Sequence, residues 1–198
     1  MINKPNDLEF KAFTAGPLAE MDFSSFAISD RWLGFALVAG MYACRCLSDV
    51  RLDIAGQEGS IKDEGTPTIP QEMAVEKSIR DVLRELDETA SFVGEETGGT
   101  MSKTGITVAV DPIDGTWAFL AGMASCATAI TVFEDGVPIC GVIGNLATGE
   151  ICYARKGGGS RLIKLPLEGN GLRAYDLPIS SENRKVLVNI HPSRSASE

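Results

Sequence analysis

Histidine, tryptophan and paired cysteine are scarce in this chain, and each scarcity closes off a class of chemistry. Among 198 residues there is one histidine, His191, and two tryptophans. The five cysteines, Cys44, Cys46, Cys126, Cys140 and Cys152, form no Cys-x-x-Cys pair. Without that spacing or a companion histidine there is no zinc signature, and an odd count gives no disulfide framework. The pattern reads as reduced thiols of a cytosolic protein, packed as small hydrophobes. His191, in "NIHPS", has no Asp/Ser constellation around it and reads as a surface or strand-end residue. Basic residues are also few: 18 Lys and Arg against 27 Asp and Glu give a net charge of -9. Nucleic acid and anionic membranes need clustered Lys and Arg, so neither is an expected partner. Long apolar runs are missing too. The longest, Trp32 to Leu47, is interrupted by Arg45 and falls short of the ~20 residues that span a bilayer. The opening "MINKPNDLEFKAF" carries charges throughout, unlike a signal peptide. No EF-hand loop, internal repeat or heptad pattern occurs.

What is present suits one substantial domain, with 44% hydrophobic residues in a length that can bury a core without staples. Residues 1–28 lack periodicity and read as an N-terminal extension, leaving 29–198 as the domain. Ser29-Asp30 offers an N-cap for a helix through Leu47 and toward Val50. "AGQEGSIKDEGTPTIP" reads as a loop or short hairpin. From Gln71 to Leu86, the residues Val75, Ile79, Val82, Leu83 and Leu86 recur at helical spacing, with Glu76, Lys77, Arg80, Asp81 and Arg84 placed mostly elsewhere on the wheel. Short β-type segments follow: "SFVGEE", "GITVAVD", "CATAITVF", "VPICGVIG" and "EICYARK". Asp135-Gly136 and Gly157-Gly158-Gly159 supply turns. Helices followed by a mainly antiparallel sheet predict an α+β fold.

The chemistry concentrates in "VAVDPIDGTWAFLAG". Pro112 cannot continue a ladder, so the strand is expected to end at Asp111 and turn through Ile113, crowding Asp111 and Asp114 at one edge. No Lys or Arg is near in sequence. Two such carboxylates repel: either one is protonated or a cation lies between them. Mg²⁺ suits oxygen ligands and keeps waters that a phosphate can displace, and the Ile113 carbonyl is a natural extra ligand. Gly115-Thr116 opens a short helix whose N–H groups favour an anion, and the Thr116 hydroxyl is placed to bond a coordinated water. The competing reading is an Asx-type turn that caps this helix without metal. In "FVGEETGG", Glu95 becomes a third ligand and a partner for the attacking water, although paired Glu in a loop is usually just solvated.

These segments resemble the inositol monophosphatase superfamily of metal-dependent phosphomonoesterases. The likeness rests on "GEE" at 94–96, "DPIDGT" at 111–116 and "ICYARKGGGS" at 151–160, with a looser match in "KDEGTPTIPQEMAVEKSI". It covers roughly Trp32 to Leu162 and resembles the N-terminal two-thirds of the family fold. The resemblance implies a layered α/β sandwich with its C-terminal α/β part truncated. It implies Mg²⁺-dependent hydrolysis of a small phosphate monoester by metal-activated water, with inositol-phosphate-like and histidinol-phosphate-like esters as the leading substrate classes. Glu95, Asp111 and the Ile113 carbonyl would hold one Mg²⁺, and Asp111 with Asp114 a second. Gly115 and Thr116 would present N–H groups to phosphate, and Thr116 with Glu95 would orient water. Lys62 falls on the family's upstream Lys. Glu72 stands where the family has an Asp near the metals, a longer arm that would shift or weaken an outer metal site. The family's downstream Trp-Asp-x-Ala-Ala segment has no counterpart, since tryptophan occurs only at Trp32 and Trp117. This absence keeps a second reading in play: a catalytically impaired fragment, or a non-catalytic metal- or phosphate-binding member. Homodimerisation is a further expectation from the likeness, while a cytoplasmic location is expected from the reduced thiols.

Overall fold

Asp30 does what the sequence predicts. Its Oδ1 accepts from the N–H groups of Trp32 at 3.0 Å and Leu33 at 3.2 Å, satisfying donors that a helix start leaves open, and α1 (Arg31–Arg51) begins at the next residue. The computed structural model describes residues 30–56, 59–63, 65–164 and 173–177. The extension at 1–28 and His191 lie outside the described residues. By length and composition alone α1 could cross a bilayer, but its buried face, including Leu33, Leu37, Tyr42 and Leu47, packs on a sheet. Gly40 permits close approach there: a Cβ would come within 2.7 Å of Val142 Cγ1.

A short antiparallel hairpin, β1 (Ser60–Ile61) and β2 (Pro67–Thr68), leads into α2 (Pro70–Leu86). Pro70 at the first helical position gives up no hydrogen bond. Val75, Ile79 and Leu83 are fully buried. Glu72 and Glu76 are buried with them, so two acids sit inside the apolar stripe, whereas the wheel placed Glu76 mostly off it. Leu86 ends the helix 37% exposed.

Among the described residues the main sheet has eight strands: β3 (Ser91–Gly94), β4 (Gly98–Gly99), β5 (Ile106–Asp114), β6 (Ala127–Glu134), β7 (Val137–Asn145), β8 (Glu150–Arg155), β9 (Gly159–Lys164) and β10 (Arg173–Leu177). Their spatial order is β10-β9-β8-β7-β6-β5-β3-β4. Every neighbouring pair is antiparallel except β3 with β5, which run parallel. The α+β expectation holds, with α1 packed on β6 and β7 and α2 on β5. The strands β9 and β10 extend the sheet beyond what periodicity revealed. Asp135 (φ 51°) and Gly136 (φ 75°) close the β6–β7 hairpin, both in the left-handed region that a two-residue hairpin of type I′ requires.

One expectation needs correcting. The strand through "ITVAVD" does not stop at Asp111; pairing resumes at Asp114, which faces Ala127, after Asp111 faces Ala129. Three steps on β5 match two on β6, so Pro112 sits in a β-bulge, the place in a sheet where a missing N–H is tolerated. The cysteines also divide. All five are free, with Cys44, Cys126 and Cys140 buried and Cys152 exposed. Cys152 pairs with Ile143 across β7 and β8, and Ile143 is 56% exposed.

Gly144 offers a test of the helix–sheet contact. A Cβ there would collide with Cys44 Sγ and lie 3.0 Å from both Ile151 Cδ1 and Thr128 Cγ2. Gly144→Ala should destabilise by about 1–3 kcal/mol, the usual cost of overpacking. Urea denaturation should show a smaller loss for the same change in a Cys44→Ala background, because the two sites share the clash.

Candidate active site

The parallel pairing of β3 with β5 builds the site. Gly94 lies opposite Val110, and the Glu95 N–H continues the ladder to the Val110 carbonyl at 3.1 Å. Glu95 therefore arrives beside Asp111, near enough to help raise the Asp111 carboxyl. The bulge then carries the chain to Asp114. Gly115, at φ 90° and ψ 48°, turns it into α3 (Thr116–Leu120); a Cβ at Gly115 would come within 2.9 Å of the Ser125 carbonyl. The N-cap of α3 is Gly115 itself, with no side-chain hydrogen bond, so the aspartates do not form the cap that the competing reading required.

Two more elements aim acids at the same place. Glu72, in the first turn of α2, accepts from the Ile69 N–H at 2.7 Å through Oε2, which caps the helix. Its Oε1 lies 3.1 Å from Thr116 Oγ1, and that hydroxyl is also 3.1 Å from the Ile113 carbonyl. Glu72 is fully buried, and its carboxylate joins those of Glu95 and Glu96 with oxygens within 4.8 Å of one another. The β1–β2 hairpin brings in Lys62, whose Nζ is 3.0 Å from Glu95 Oε1 and 2.6 Å from Glu96 Oε1. The Thr68 hydroxyl bonds Glu96 Oε2 at 2.8 Å.

The electrostatics follow from crowding. Burial pushes the Glu72 carboxyl up to about 7, against the hydrogen bond from Ile69, with the charge of Glu96 adding to the rise. Burial also pushes Asp111 up to about 8, reinforced by the neighbouring Glu95 and by the charges of Asp114 and Glu72. Burial lowers the Lys62 ammonium, but its bonds and charge interactions with Glu96 and Glu95 outweigh this and hold it above its ordinary value. Five carboxylates thus crowd together, and Lys62 pairs with two of them, Glu95 and Glu96. Asp111 Oδ1 is buried with no hydrogen-bond partner. An all-oxygen donor set with an unpartnered buried carboxylate oxygen fits a hard divalent cation.

The sequence reading missed two residues. Glu96 is the more buried of the "GEE" pair, with a side chain 4% exposed against 40% for Glu95. Glu76, also fully buried, accepts from the Glu96 N–H at 2.7 Å and the Thr97 N–H at 3.0 Å. It also accepts from the Thr97 hydroxyl. It fixes the loop that carries both ligand-type glutamates. A Cβ on Gly94 would collide with Glu76 Oε2, which explains the glycine of "GEE". The available signal was the spacing: Glu72 and Glu76 share the helical stripe of Val75, Ile79 and Leu83.

The fold is an α+β sandwich built round an acidic centre, and residues 41–196 match the inositol monophosphatase family. The chain belongs to that family. It is 34% identical over 133 residues to a histidinol-phosphatase of Mycobacterium tuberculosis, covering 67% of this chain and 46% of that protein. It is 30% identical over 133 residues to an inositol-1-monophosphatase of Mycobacterium leprae, covering 63% and 46%. The chain therefore spans about half the length of the curated relatives it matches. Among solved structures, extragenic suppressor protein suhB of Bartonella henselae superposes with a TM-score of 0.61 at 25% identity, covering 67% of this chain and 52% of that one.

The raised carboxyls predict how the metal-free protein responds to pH. Unfolded, Asp111 and Glu72 ionise near their ordinary 3.8 and 4.5; folded, they keep protons to about 8 and about 7. Between those limits the folded state binds more protons than the unfolded one, so stability falls as pH rises from about 4 to 8. Thermal melts in chelator should show this decline, and saturating Mg²⁺ should reverse it. Asp111→Asn should flatten the decline and remove most of the Mg²⁺ stabilisation.

Proposed function

We propose that this chain carries the acidic centre of a Mg²⁺-dependent phosphomonoesterase acting on a small phosphorylated metabolite, of the inositol-phosphate or histidinol-phosphate type. The observation that carries this reading is the crowding of Glu72, Glu95 and Glu96 with Asp111 and Asp114, in which Lys62 pairs only with Glu95 and Glu96 and Asp111 Oδ1 is buried and unpartnered. Names of relatives support it: both proteins compared above are phosphatases of small phosphate esters.

In this reading Glu95, Asp111 and the Ile113 carbonyl would hold one Mg²⁺, and Asp111 with Asp114 a second. Divalent cations held there would supply charge to offset the carboxylate repulsion and Lewis acidity toward a phosphoryl oxygen and water. The chain's own groups do the positioning. Lys62 orients Glu95, which as the more exposed glutamate is the one open to accept a proton from water. Thr116, fixed between Glu72 and Ile113, would help Glu95 orient that water. The backbone N–H groups at Gly115 and Thr116 receive the phosphate. The buried Glu72 serves as a support to Thr116 and α2 more than as a peripheral ligand. A cytoplasmic setting and pairing into a dimer belong to the same proposal.

Phosphate release from a panel of monoesters, with Mg²⁺ titrated, tests it. Release should need Mg²⁺, and Asp114→Asn should lower kcat/KM by a hundredfold or more, about the top of the range seen for losing groups that support a metal site. Mg²⁺ binding with no release from any ester would instead favour a non-catalytic member of the family.

A further inference from the structure

Along α2, Arg80 lies two turns beyond Glu72, about 12 Å down the axis. There the C-terminal half of the helix and the β3–β4 hairpin flank an open cleft of about 220 Å³, lined by Arg80, Arg84, Phe92, Thr97, Gly98 and Gly99. In a chain of net charge -9, two guanidinium groups stand together here, four residues apart and hence on one helical face. Among the described residues neither has a carboxylate within ion-pair distance.

Arg80 is held in place without being satisfied. Its guanidinium carbon sits 4.6 Å from the Phe92 ring centroid, and Nη2 donates to Thr97 Oγ1, which itself bonds Glu76. Its Nε is buried with no acceptor. A buried donor on a permanent cation is a strong demand for an oxygen. A cation in the last turn of a helix is favourable with no ligand at all, which accounts for the position of Arg84 but not for the unused Nε of Arg80. Gly99, at φ 140°, keeps the hairpin wall bare: a Cβ there would collide with the Phe92 carbonyl.

We propose that this cleft is a second anion site, separate from the acidic cluster, which takes a phosphoryl group between Arg80 and Arg84. The planar forks of two arginines match phosphate oxygens, and two positive charges suit a dianion. The volume lies below the ~300 Å³ at which sites for larger organic ligands begin, so the ligand is inorganic phosphate or a small phosphate ester. The assignment does not depend on the catalytic reading, because it needs no metal.

The test uses the full chain in chelator with inorganic phosphate as probe, followed by amide chemical shifts. Saturable shifts should appear at Thr97, Gly98 and Gly99. Arg84→Gln, an exposed change that should leave the melting temperature unaltered, should weaken binding about tenfold or more, the loss expected for one charge-assisted contact. Arg80→Lys, which keeps the charge but removes Nε, should weaken it as well. Equal affinity in wild type and Arg84→Gln overturns the proposal, as do shifts confined to residues 111–116. Acetate binding as tightly as phosphate would overturn the phosphoryl assignment.

Discussion

A single parallel strand pair makes the acidic centre. In an antiparallel sheet successive strand ends alternate between the two edges, so residues that follow two neighbouring strands lie far apart. Because β3 and β5 run the same way, their C-terminal ends meet at one edge, with Gly94 facing Val110. Glu95 and Asp111, the residues immediately after that pair, are thereby neighbours without any long-range search by flexible side chains. The bulge at Pro112 and the left-handed Gly115 then keep Asp114 and Thr116 at that edge instead of carrying them away along β6.

Holding acids that close together requires a frame, and α2 provides it from within the core. Glu76 is a buried carboxylate whose rise in pKa is driven by desolvation and opposed by donors from Thr97 and Glu96. Three hydrogen bonds to it convert what would be a buried charge defect into a clamp on the loop 95–97. The same helix contributes Glu72 one turn earlier, with one oxygen capping the helix and the other set against Thr116. A helix that reads as ordinary core packing is therefore also the support for the chemistry, and Gly94 is confined to glycine by it.

How far the sequence revealed this depends on the kind of signal. "DPIDGT" and "GEE" were legible because each combines backbone punctuation with acids, so position and chemistry could be read together. Asp30 was legible as a cap for the same reason. Glu76 was not, since a lone Glu on a helical wheel looks like a solvated residue until the loop it holds is folded against it. The extent of β5 was misjudged because Pro112 was weighed as a strand breaker and not as a bulge. The part Glu72 plays in holding α2 and Thr116 is not legible, because its contacts to the Ile69 N–H and the Thr116 hydroxyl exist only once the fold brings Thr116 against α2. The edge strands β9 and β10 follow the glycine turn at 157–159 and gave no clear alternation before the fold was known.

The crowding that suits the centre to a cation also works against the empty fold. Lys62 is one ammonium among five carboxylates, and it is committed to Glu95 and Glu96, leaving Asp111 and Asp114 uncompensated. Protonation of Asp111 relieves the repulsion at low pH, but near neutrality that relief is running out. A bound divalent cation removes the same repulsion without a proton, so part of its binding free energy reappears as folding free energy. Stability and cation affinity are thus two readings of one charge distribution. A substitution that eases the empty protein, such as neutralising Asp111, does so by deleting what the cation would have bound.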